Sequence, residues 1–307
     1  MNKTQKDNYK DSENNTATIP GGFTVSKIDG EQNISTGLVI YDIPEDEIEN
    51  VDWTTKNEDG AYNVQTLYNQ FVWIPEVAES EYQRNLSYQS YYCINDDWIL
   101  SETTPTNSTM TDTNYLPNVI QPKIDNETNN ETAERNAVLK YNGFYIARYE
   151  AGNENSVAVS KQNASVYVIK TQEEFKIIGN EMYGNNSNYV KSAMCSGIQW
   201  DFVMSFIDGK QDAKGNEYNV RIESLTRHIG TVVEAGKNLN DKVQNIYDLE
   251  GNCVEYVAEK NDCKEFQFIG RGGSYYYGNI GNNASRRFAG VGVATQDRTF
   301  RPVLYII

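Results

Sequence analysis

The sequence predicts an α+β fold in which short strands dominate, helices are few and much of the chain is irregular. Three observations carry that prediction. Apolar and polar residues alternate in stretches only a few residues long, which is strand periodicity. One segment instead repeats its apolar residues at helical spacing behind an N-terminal capping signal. Glycine, asparagine, aspartate and proline interrupt both kinds of segment at short intervals. At 307 residues, 38% hydrophobic and 12% aromatic, the chain has enough apolar material for one large domain or two modest ones.

Taken in order, residues 1–18 are polar and read as a disordered N-terminal segment. From Ile19 the stretches GGFTVSKI, TGLVIYDI and NQFVWIPE alternate between turn residues, so 19–65 is expected to be a β-rich extension. Residues 76–136 include SETTPTNSTMTDTN and QPKIDNETNNETAERN; short of large apolar residues, they read as a polar insertion or long loop. Their Asn-x-Ser/Thr triplets follow from the abundance of asparagine and are weak evidence of glycosylation. NGFYIARYE (142–150) opens on an Asn-Gly turn and alternates Phe144, Ile146 and Arg148 against Tyr145, Ala147 and Tyr149, which predicts a strand. In SGIQWDFVMSFIDG (196–209), Ser196 and Gln199 stand at capping-box spacing, and Trp200, Val203, Met204 and Ile207 form one apolar stripe on a helix that Gly209 ends. That stripe reads as core. From Asn245 short strands return, and the apolar PVLYII pins the end of the sequence into a sheet.

Charge and composition narrow the function. With 43 acidic and 27 basic residues the formal net charge is −16, which disfavours phosphate backbones and anionic membrane surfaces, so neither nucleic acid nor membrane is an expected partner. No run of about 18 apolar residues occurs, and MNKTQKDNYKDSENNTATIP is too polar for a secretory leader. A leader or anchor removed from the chain would leave no trace in it. The four cysteines, Cys93, Cys195, Cys253 and Cys263, contain no CxxC pair, and His228 is the single histidine, so a nitrogen-and-sulfur metal site or a Ser-His-Asp triad finds no ligand set. Cys253 and Cys263 are spaced for a hairpin bridge and equally for two free buried thiols.

The segments NIYDLEGNCVEYVAE (245–259), FIGRGGSYYYG and DRTFRPVLYI occur in the order, and with the motifs, of the ending of the formylglycine-generating enzyme (sulfatase-modifying factor) family, which the chain closely resembles. That ending runs D-x-x-G-N-x-x-E-W, R-G-G-S-W, G-F-R-P. FYIARYE and SGIQWDFVMSFI are similar to the strand and helix that precede it. The resemblance spans roughly residues 66–307 and implies a C-type lectin-like fold. The sequence departs from the pattern where Thr299 replaces the glycine before Phe300 and where Tyr256 and Tyr275 replace tryptophan.

Several residue roles follow. Glycines 272 and 273 suit a backbone that turns with positive φ or passes close to another strand, and a buried Arg301 requires carboxylate or carbonyl partners, so Arg271 and Arg301 are expected to hold loops and not a ligand. Asp248 and Glu255 offer hard oxygens, and the turn between them offers the carbonyls of Gly251 and Cys253. The resemblance implies a structural calcium ion at those four positions, while a D-x-x-G-N turn also closes by side-chain to backbone hydrogen bonds with no metal. The family's oxidases hold copper on two cysteines soon after GGS, and the matching positions here are Tyr277 and Asn282, which supply no thiolate. The related sulfoxide synthases use a three-histidine iron site, which one histidine cannot build.

The function expected from this is a non-enzymatic ligand-binding module, adhesin-like or receptor-binding; the alternative is an enzyme or enzyme remnant of the formylglycine-generating oxidase group. In GRGGSYYYGNIGNNASRRF (270–288), Tyr275, Tyr276, Tyr277, Asn279, Asn282, Asn283 and Arg286 form the candidate face, because tyrosine rings and asparagine amides give broad, adaptable contacts at low entropic cost. One or two exposed tyrosines are expected, with the others buried in the sheet. The partner would be a protein or glycan on another surface, and the location extracellular or at a cell or virion surface. The layout is also similar to lectin-fold variable proteins of diversity-generating retroelements, which place mutable positions between an R-G-G-S-type and a G-F-R-P-type motif. With 22 tyrosines spread along the chain, composition does not separate diversification from background.

Overall fold

Alternation along three neighbouring strands builds two cores on opposite faces of one sheet. In a computed structural model describing residues 7–75, 77–82, 91–94, 97–100, 129–184, 187–221, 230–260, 268–277 and 283–307, the elements follow in chain order. The strands β1 (Asp7–Lys10), β2 (Thr16–Ile19), β3 (Thr24–Val25) and β4 (Val39–Tyr41) precede the short helix α1 (Asn63–Leu67) and β5 (Gln70–Pro75). Next come β6 (Tyr91–Ile94), β7 (Asp97–Leu100), α2 (Asn129–Tyr141), β8 (Gly143–Ala147), β9 (Gly152–Glu154), β10 (Val157–Val159), α3 (Gln172–Glu181), β11 (Val190–Met194) and α4 (Gly197–Ile207). The remainder is β12 (Lys242–Val243), β13 (Ile246–Tyr247), β14 (Val254–Lys260), β15 (Phe268–Arg271), β16 (Arg287–Gly290), β17 (Arg298–Phe300) and β18 (Pro302–Ile306). This is an α+β arrangement.

The largest sheet has the order β11-β18-β8-β5-β4-β3, antiparallel throughout. Val72, Ile74, Phe144, Ile146 and Val303 point to one core, and Phe71, Trp73, Tyr145, Ala147 and Leu304 to the other. Strands buried on both faces are continuously apolar, as FVWI and FYIA are. The first core is filled from the far side by Trp200, Val203, Met204 and Ile207 of α4, whose N-terminus carries the expected capping box of Ser196 and Gln199. Gly209 follows the helix at φ 72°, a left-handed conformation that suits glycine.

Two expectations about the N-terminal region are corrected. Residues 7–19 are not disordered: β1 and β2 pair as a hairpin, and Ala17 and Ile19 cover the second core. Tyr145 Oη donates to the carbonyl of Thr18 at 3.0 Å, and Asp11 accepts from the backbone N–H groups of Ile34, Glu13 and Asn15. A few apolar residues in a polar stretch are enough when a sheet face waits to be covered. Nor does 19–65 stand apart as an extension, because β3 and β4 are strands of the main sheet. Within the expected insertion 76–136, the described residues include the hairpin β6–β7 and the first turns of α2.

A second sheet, ordered β16-β15-β14-β17, pairs β14 with β17 in parallel and is otherwise antiparallel. Its Tyr256 and Phe300 pack with Phe175 of α3, Tyr167 and Met194. The helix α3 was not expected, although Thr171 and Glu174 make a complete capping box. The second sheet and the turn ahead of β14 position the candidate site.

Candidate functional site

The turn 248–253 brings the motifs together. Asp248, Gly251 and Asn252 have φ of 56°, 76° and 44°, so the chain doubles back twice before β14. Asparagine and aspartate tolerate this left-handed region better than other non-glycine residues. Each bend is tied internally. Asp248 Oδ2 accepts from the N–H of Gly236 at 2.6 Å. Glu150, at the end of the strand segment FYIARYE, accepts from the Cys253 N–H at 2.9 Å and from Asn252 Nδ2 at 2.7 Å. Burial, then the nearby Asp248 and Glu255, push the Glu150 carboxyl well above its ordinary range, against the pull of the Cys253 N–H and Arg301.

Both arginines of the motifs are internal. Arg301 donates through Nε to Glu255 Oε2 at 2.8 Å and through Nη2 to Oε1 at 2.5 Å, and also to the carbonyls of Ala147 and Tyr247. Burial pushes the Glu255 carboxyl up to about 7, and Arg301 works against it. Arg271 pairs with Asp201 of α4 at 2.8 Å and lies over the Trp200 ring. Gly272 has φ 66°, and a Cβ there would stand 2.7 Å from the Leu249 carbonyl oxygen, so both its conformation and its space require glycine. These residues hold loops, as their chemistry suggested.

The calcium set does not fit a metal. Asp248, Gly251 and Cys253 lie on the turn and Glu255 just beyond it in β14, but both Glu255 oxygens accept from Arg301 and Asp248 Oδ2 accepts from Gly236. Among the described residues no group of three or more His, Cys, Asp or Glu is arranged to hold an ion. The alternative reading of D-x-x-G-N, closure by hydrogen bonds, describes this turn. Cys253 is a buried free thiol, and Cys263, the other member of the spaced pair, lies outside the described residues.

The tyrosine segment follows directly. Tyr275–Tyr277 form a single 3-10 turn. The N–H of Tyr275 donates to the Asn252 carbonyl at 2.8 Å, and that of Tyr276 to Ser274 Oγ at 3.3 Å. Tyr275 is half-buried, whereas Tyr276 is 76% exposed, the highest exposure of any large hydrophobic side chain among the described residues. One member of the expected face is corrected, and another is placed in a turn. Arg286 is only 3% exposed, and half-buried Asn283 accepts from Ser285 Oγ at 3.0 Å, closing a turn. Both follow from Ala284, whose carbonyl accepts from Trp200 Nε1 at 3.0 Å and draws the segment 283–286 into the core. The side chain of Tyr277, and Asn279 and Asn282 entirely, lie outside the described residues. Sequence reading missed Glu150 and Asn252 as organisers of the site; the one available signal was a carboxylate closing an otherwise apolar strand.

No protein-family model matches the sequence, and no curated protein matches it. Among solved structures, PvdO from Pseudomonas aeruginosa is similar at 13% identity and a TM-score of 0.39, over 54% of this chain and 81% of that one. CarF is similar at 13% identity and a TM-score of 0.37, over 54% and 87%. Treponema denticola variable protein 1 is similar at 15% identity and a TM-score of 0.27, over 50% of this chain and 54% of its own length. At these TM-scores the reading of the site rests on the geometry above. Among the described residues no helix is long and apolar enough to cross a membrane.

Proposed function

We propose that this protein is a non-enzymatic ligand-binding module whose contact face is centred on Tyr276. The observation that carries the reading is an exposed aromatic ring on an anchored turn, the most exposed large hydrophobic side chain among the described residues. Tyr276 is 76% exposed, yet the chain leading into its turn is tied to buried groups, through the Tyr275 N–H to Asn252 and through the Arg271 side chain to Asp201. A ring held this way loses little freedom on binding, which is the property of an interface anchor. The chemistry of the segment also favours binding over catalysis, because the positions that match the oxidases' copper cysteines are Tyr277 and Asn282.

On this reading the fold is of the C-type lectin type implied by the R-G-G-S and F-R-P motifs, and the chain acts at a cell or virion surface on a protein or glycan partner. Diversification of the tyrosine segment by a retroelement is compatible with the exposure of Tyr276 and rests on the layout of the motifs. The labelled full chain applied to a glycan array and to a phage-displayed random peptide library tests the proposal. Specific capture that Tyr276→Ala abolishes is the expected result. Conversion of a cysteine peptide to formylglycine, detected by mass spectrometry, overturns it.

A further inference from the structure

We infer that Asn252 is the positioning residue of this face. The inference rests on the reading of Tyr276 as a contact residue. Asn252 itself is wholly buried and touches no ligand. Its side-chain amide behaves like a short piece of strand toward Val233: Oδ1 accepts from the Val233 N–H at 3.0 Å, and Nδ2 donates to the Val233 carbonyl at 3.1 Å. Nδ2 also donates to Glu150 at 2.7 Å, which fixes the rotation of the amide. The backbone carbonyl of the same residue accepts from Tyr275, and the Tyr275 carbonyl in turn accepts from the N–H of Gly230 at 3.3 Å. Two segments more than forty residues apart in sequence therefore hang from one side chain and its own backbone.

The exposed groups on these segments sit one residue from each attachment. Tyr276 follows Tyr275, and Val232, 38% exposed, precedes Val233. Moving Asn252 moves both. No other side chain can do this at position 252. The φ of 44° favours asparagine, aspartate or glycine, aspartate lacks the donor that Val233 and Glu150 both require, and glycine lacks the amide.

Amide exchange followed by NMR on the full chain tests the coupling. In the unmodified protein under sub-denaturing urea, the amides of Gly230, Val233 and Tyr275 should exchange through one shared opening, distinct from the global unfolding that releases Tyr145 and Val303. Separate opening behaviour for Val233 and Tyr275 overturns the inference, and this arm needs no variant. In Asn252→Asp, Val233 and Tyr275 should exchange at least about ten-fold faster while Tyr145 and Val303 keep their protection. Unchanged exchange at Tyr275, or a uniform rise across the sheet, overturns the positioning role. In the double variant Asn252→Asp, Glu150→Gln, the new glutamine amide donates to the new carboxylate and the Val233 N–H keeps its acceptor, so protection at both Tyr275 and Val233 recovers in part.

The peptide library separates this inference from the reading beneath it. Clones captured by the chain should be lost with Tyr276→Ala and weakened with Asn252→Asp. Loss with the first and full retention with the second overturns the positioning role. Retention of every clone by Tyr276→Ala removes the face itself.

Discussion

Arg301 and Glu255 meet fork to fork in a site that neither shares with solvent, with the remaining guanidinium N–H groups directed at the carbonyls of Ala147 and Tyr247. The pair joins β8, the turn before β14, and the bend between β17 and β18. Removing one partner leaves an uncompensated buried charge, so Arg301→Met should cost about 3–5 kcal/mol in urea unfolding. Arg301→Met with Glu255→Leu should cost less than that, because no charge is left behind. Equal loss in the single and double variants would show that packing of the guanidinium matters more than its charge.

Calcium should leave stability unchanged. A site that binds calcium in the folded state alone raises the melting temperature by mass action. Glu255 is held by Arg301, Asp248 Oδ2 by the Gly236 N–H and Glu250 Oε1 by the Ala284 N–H, so each carboxylate here already accepts within the protein. Calorimetric scans in chelator and in millimolar calcium are expected to superimpose, and a rise of several degrees would refute the hydrogen-bonded closure.

Acid should detach the N-terminal hairpin first. Burial raises the Asp11 carboxyl, but hydrogen bonds from Ile34, Asn15 and Glu13 outweigh it and hold the group below its ordinary range. A depressed folded-state value means that the contribution is complete above the unfolded-state value of about 3.9 and is lost as pH falls through the folded-state one. Asp11→Asn removes the charge at every pH, so its deficit should be greatest near neutrality and shrink below about pH 4. Proteolysis within residues 7–19, measured across that range, reports the detachment directly.

Ile169 carries backbone strain on an exposed surface. Its φ is 61°, in the left-handed region, and its side chain is 54% exposed. The cost for a β-branched residue is roughly 1–2 kcal/mol, and little burial offsets it. Ile169→Asn keeps the N–H that donates to Thr295 and should stabilise the protein by about 1 kcal/mol in urea titration. A loss of similar size would mean that the isoleucine side chain packs where it stands.

What could be read from the sequence was whatever local chemistry dictates. FYIA is continuously apolar because both faces of β8 are buried, the helix 197–207 announces itself through Ser196 and Gln199, and Arg301 before Pro302 demanded the partners it has in Glu255 and two carbonyls. The rest depended on partners far away in the chain. Nothing near Ala17 or Ile19 says that a sheet face is waiting for them. The helix at 172–181 was marked by Thr171 and Glu174, but its apolar residues are too few to stand out from their polar neighbours. Asn252 looked like a turn residue, and it is one; its hold on Val233 and Tyr275 exists only after three separate loops have met. Arg286 looked like a surface cation because neither the pull of Trp200 on Ala284 nor the resulting burial has a local signature.

The place of β18 has a consequence for how the molecule is made. That strand lies between β11 and β8, so Val303 faces Ile146 on one side and Ala193 on the other. Loop closure over such separations is entropically expensive and slow. Before residues 302–306 pair, β8 and β11 present unpaired edges to one another across a missing strand. Any state in which β18 is detached is therefore an open half-sheet, dependent on chaperones or on its own strong negative charge to stay apart from its neighbours.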